Sequence, residues 1–140
     1  MNAQFKTTLI ANLAAQCERM ITRMETWKDE LANPSTGFED DLRRIADEYP
    51  VHNAACTRIR NLMDDLQESP ITDVYDIIVG EMYECVRVAM SFSLANTDRW
   101  KMSHKAVYII SVVLNQTLKE CEIVPPIQDR QLISFFNGMY

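Results

Sequence analysis

Residues 3–32 read AQFKTTLIANLAAQCERMITRMETWKDELA, and their spacing decides the fold class. Phe5, Leu9, Leu13, Cys17, Met20, Met24, Trp27 and Leu31 recur at intervals of only three or four residues. Such intervals keep side chains on one face of an α-helix, so the stretch predicts one long amphipathic N-terminal helix. Glu18, Arg19, Thr22, Lys28 and Asp29 fall on the opposite face. Asn33-Pro34-Ser35 closes it, because the residue before a proline avoids the helical region.

The same reading carries outward along the chain. Thr36-Gly37-Phe38-Glu39 has the pattern of a capping box, followed by acids in the first turn and Arg43 and Arg44 later. A short helix over 37–49 is expected to end at Tyr49-Pro50, with Pro50 opening a third helix over 51–68. That third helix turns Val51, Ala55, Ile59, Leu62 and Leu66 inward. Thr72 caps a fourth, over 73–96, which is apolar round most of its circumference. Only Asp73, Asp76, Gly80, Glu84, Arg87 and Ser91 form a polar strip on it. A helix of that kind is expected at the centre of a bundle. A fifth helix, 98–122, places Val107, Ile110, Leu114, Leu118 and Cys121 inward and Lys101, Lys105, Asn115, Lys119 and Glu122 outward. Pro125-Pro126 stops it, and a short helix over 127–137 completes the chain.

No segment keeps a period of two, so no sheet is expected. The prediction is an all-α, single-domain antiparallel bundle of five to six helices spanning residues 1–140, with a buried central helix.

Composition narrows the function. The chain has three glycines in 140 residues, Gly37, Gly80 and Gly138. They are too scattered to build a phosphate-cradling loop or a nucleophile elbow. Two histidines, His52 and His104, exclude a multi-histidine zinc site, and neither has a glutamate three residues before it, as a helical di-metal site requires. His52 reads as a surface residue. Cys17, Cys56, Cys85 and Cys121 are too far apart for a CxxC pair and read as buried free thiols. No cofactor and no metal are expected. Free thiols and the absence of a basic-then-apolar leader point to the cytoplasm. The net charge of −6 argues against nucleic acid as a partner. No apolar run is long enough for a membrane span.

One pattern carries catalytic content: Arg99-Trp100-Lys101-Met102-Ser103-His104. Arginine, four residues, then histidine resembles the R-x4-6-H signature of the HEPN family, small helical domains that include metal-independent ribonucleases. The resemblance implies a dimer in which Arg99 and His104 serve phosphate chemistry across a shared cleft. Histidine can move a proton near neutral pH, and a guanidinium can stabilise developing phosphorane charge. The match covers these two residues alone. Trp100 stands where the family commonly has a small polar side chain.

The C-terminus, Leu132-Ile133-Ser134-Phe135-Phe136-Asn137-Gly138-Met139-Tyr140, is unusually apolar for an end. It is expected either to dock on its own bundle or to meet another chain. Phe135, Phe136, Met139 and Tyr140, with Trp100, are the candidate partner-binding residues. The leading expectation is a small acidic interaction protein without catalysis: a regulator, an inhibitor or a phage- or plasmid-encoded accessory factor. Its partner is another protein, with a homodimer as an alternative. The HEPN-like ribonuclease, or an inactive relative, is the competing reading.

Overall fold

Lys6, near the start of the chain, donates to the carbonyls of Gln67 (2.8 Å) and Ser69 (2.7 Å). That contact fixes the first two helices as antiparallel neighbours. A computed structural model describes residues 3–34, 39–91, 98–128 and 130–131, with side chains left undescribed over 89–104. Helix α1 spans Ala3–Ala32 and α2 Glu39–Glu68. A 3-10 turn, Ile71–Asp73, leads into α3, Val74–Ser91, and α4 runs Asp98–Glu120. Among the described residues there are four α-helices and no strand, fewer helices than the five to six expected.

Helix α1 follows its stripe. Leu9, Leu13, Cys17, Met20 and Met24 are buried, with Phe5 and Trp27 packed against them. The stripe fades at its end, where Leu31 is exposed.

The expected break at Pro50 does not occur, and 37–49 and 51–68 are not separate helices. Helix α2 passes through Pro50 without interruption. A proline inside a helix lacks the N–H for the preceding turn and crowds its carbonyl, at a cost of about 3 kcal/mol. Here Pro50 faces solvent. Ile45, Tyr49 and His52 before and beside it, and Ala55, Cys56, Ile59, Leu62 and Leu66 beyond it, keep one helical register. Burial along that unbroken stripe outweighs the local penalty.

The centre of the bundle is also not where the pattern placed it. Helix α4 packs against α1, α2 and α3, whereas α3 packs chiefly on α4 and lies at the periphery. Helix α4 was disguised by its polar residues. Ser111, Asn115 and Thr117 are all buried. Ser111 donates to the Val107 carbonyl (2.9 Å) and Thr117 to that of Val113 (2.7 Å). Hydroxyls that bond to their own helix can enter a core without leaving a donor unmet. Asn115, expected on the outside, donates instead to the Ile127 carbonyl at 2.9 Å. It thereby holds the chain that returns after α4.

Helix α4 ends in a reciprocal backbone cap. Glu122 N–H donates to Lys119 (2.9 Å) and Ile123 N–H to Leu118 (2.9 Å), with Glu122 in the left-handed region at φ 60°. This is a Schellman arrangement, which glycine usually supplies. The expected capping box at Thr36 and most of the predicted 127–137 helix lie outside the described residues. Within the latter, Arg130 and Gln131 are helical.

Candidate interaction surface

Two groups of side chains stand apart from simple core packing: a polar knot inside the bundle and the outward face of α3.

The knot joins three helices. His52 is 9% exposed, which corrects its reading as a surface histidine. Its ring meets Trp27 of α1 edge to face, with centroids 4.9 Å apart and planes at 89°. His52 Nδ1 lies 3.0 Å from the Glu48 carbonyl, one helical turn earlier. Glu48 in turn faces Lys105 of α4, with Nζ and Oε1 3.8 Å apart. The knot is built from one residue of each neighbouring helix around a buried ring. Its chemistry is that of a structural clamp: a backbone carbonyl meets one imidazole nitrogen and the Trp27 ring packs against the imidazole.

The thiols are all free. Burial pushes Cys17 up to about 12, with the adjacent Cys56 thiol adding to the effect. Burial pushes Cys85 up to about 11. Cys121 is raised too, again mainly by burial, and accepts from Asn12 Nδ2 at 3.6 Å. A thiol held protonated is a poor nucleophile and a poor metal ligand. Among the described residues no three metal-ligating side chains converge. An open cleft of about 430 Å³ lies between the start of α1 and the end of α4, lined by Gln4, Phe5, Thr8, Glu120, Cys121 and Glu122. Its two carboxylates and one protonated thiol make no nucleophile–base pair.

Helix α3 is different. Val74, Ile78, Met82, Cys85 and Val86 are buried, and Arg58 of α2 pairs with Glu81 to tie one edge down. Among the described residues the far side has no such tie. Tyr83 is 55% exposed, and Tyr75 and Val79 are half-buried and stand outside the packed core. Asp76, Gly80 and Arg87 share that side and are exposed. Arg87 bonds in bidentate fashion to Glu84 on the same helix, which holds the Glu84 carboxyl below its ordinary range. The sequence pattern treated Tyr75, Val79 and Tyr83 as part of an all-round apolar helix. Periodicity counts a tyrosine as apolar and cannot tell which side lacks a neighbour.

The residues singled out from sequence fall at the margins. Arg99, Trp100 and His104 belong to the first turns of α4, and their side chains lie outside the described residues. Phe135, Phe136, Met139 and Tyr140 also lie outside them. Among the described residues no helix is long and apolar enough to cross a membrane.

Comparison with protein-family models, curated proteins and solved structures finds no match to this chain.

Proposed function

We propose that this chain is a non-enzymatic interaction protein, a regulator, inhibitor or accessory factor, and that it meets its partner through the outward face of α3. The observation that supports the reading is Tyr83, more than half exposed, with Val79 and Tyr75 half-buried one and two turns earlier and outside the packed core. A large aromatic on a helix surface supplies contact area at low entropy cost, and tyrosine is enriched at binding interfaces. Nothing in the packed core of the described residues uses it. The polar groups buried among the described residues are engaged locally: His52, Ser111 and Thr117 bond to carbonyls one turn earlier in their own helices, and Asn115 bonds to the chain that returns after α4.

No observation among the described residues favours the HEPN-like reading over this one, so Arg99 and His104 are assigned no role.

The test is a native mass spectrum of the protein purified gently from its own cell. A complex heavier than one chain is expected for the wild type, and Tyr83→Ser is expected to lose it. A wild type present only as single chains overturns the proposal.

A further inference from the structure

Gly80 is the anomaly of α3. Glycine in the middle of a helix weakens it, so it persists where something must approach closely. Among the described residues nothing does: a Cβ built on Gly80 would meet no atom of theirs within 4 Å. The described residues therefore give no reason for glycine at this position.

Its surroundings supply one. At about 100° per residue, Val79, Tyr83, Asp76, Arg87 and Gly80 fall in that order across the side of α3 turned away from Val74, Ile78 and Cys85. The face thus holds a protruding aromatic, a bare backbone position one turn away, the acid Asp76, and Arg87 with its helix partner Glu84. These features are related by symmetry. Take two α3 helices antiparallel, with a two-fold axis crossing midway between Glu81 and Met82. Tyr83 of each copy then lies level with Gly80 of the other, and Asp76 of each lies level with Arg87 of the other. A knob meets a hole twice, and Asp76 twice comes level with Arg87, whose guanidinium also holds Glu84. A two-fold interface demands this self-complementarity, because the same patch must serve as both halves.

We infer that the partner on the outward face of α3 is a second copy of this chain, packed antiparallel about that axis with Tyr83 seated over Gly80. The inference rests on the proposed use of this face and names its occupant. Helix α3 has 18 residues, about 27 Å of length. One helix face per copy is smaller than a standard interface of about 1,600 Å². The pair is therefore reversible and depends on concentration.

The test is sedimentation equilibrium of the purified full chain from micromolar to millimolar concentration. The wild type is expected to shift from one to two chains across that range. Tyr83→Asp and Gly80→Leu are each expected to weaken the pair by about tenfold or more, with helicity unchanged by circular dichroism. Gly80→Leu is decisive, because its side chain has open space in the single chain and none under a neighbouring tyrosine. Asp76→Arg and Arg87→Asp are each expected to weaken association, and the double variant to restore it. A wild type that remains a single chain at millimolar concentration overturns the inference, as does a dimer indifferent to Gly80→Leu. Failure of the double variant to rescue overturns the antiparallel register. If the purified chain stays single while a Tyr83-dependent complex with a different protein is found in cells, this inference fails and the proposed function stands. If neither complex forms, both fail.

Discussion

Trp27 and His52 meet edge to face across the α1–α2 interface, their ring centroids 4.9 Å apart. The contact makes His52 a core residue with one nitrogen 3.0 Å from the Glu48 carbonyl. Truncating it removes the ring and leaves the indole of Trp27 facing a gap. His52→Ala is expected to cost about 2 kcal/mol in urea unfolding, in the range of buried truncations. A loss below about 0.5 kcal/mol, the figure for an ordinary surface site, would show that the histidine is not clamped.

Pro50 offers a test of the continuous α2. In an unbroken helix, Pro50→Ala restores an N–H for the preceding turn and removes the ring's clash, so it is expected to stabilise the chain by about 1–3 kcal/mol. Had Pro50 instead opened a separate helix, where its fixed φ helps and its missing N–H is harmless, alanine would be neutral or destabilising. Thermal melts of the two proteins separate these outcomes.

Much of the fold was legible because the intervals along α1 and the second half of α2 contain little but the packing signal. Leu9, Leu13, Cys17, Ile59, Leu62 and Leu66 are buried where their spacing placed them. The errors have specific physical sources. At Pro50 a local breaker outranked a stripe that ran on through Ile45, Tyr49, Val51 and Ala55, although that unbroken register was present in the sequence. In α4, Asn115 reads as outward and Ser111 and Thr117 carry no apolar signal, whereas hydrogen bonds to backbone carbonyls let all three enter the core. With α4 taken as half-exposed, the more apolar α3 became the apparent centre. The candidate surface was illegible for the same reason. Tyr83 and Ile78 look alike to a periodicity count, and only the arrangement of neighbours distinguishes them.

Glu122 carries the left-handed conformation that closes α4. A side chain there strains the backbone, and glycine does not. Glu122→Gly is therefore expected to stabilise the fold by about 1 kcal/mol, keeping the amide bonds to Lys119 and Leu118. A destabilised variant in chemical denaturation would contradict the cap.

Alkaline pH should weaken the protein through its buried thiols. Burial raises the folded pKa of Cys85 from 9.0 to about 11, so the native state keeps a proton that the unfolded chain releases. The contribution is complete below about pH 9 and is lost as pH rises toward 11, at no more than about 1.4 kcal/mol per pH unit for one thiol. Cys85→Ala lacks this term. Its stability deficit relative to wild type is expected to shrink between pH 8 and pH 11 in matched urea titrations. A deficit independent of pH would mean that the thiol is not desolvated.

The central claim is that the outward face of α3 is where this protein meets another chain. The most direct measurement places the photo-cross-linking residue p-benzoylphenylalanine at position 83 in the living source cell. A control carries it at Asn61, an exposed position on α2. The account predicts a covalent adduct larger than one chain on irradiation at position 83 and none at position 61. No adduct at position 83, or equal adducts at both, would contradict it.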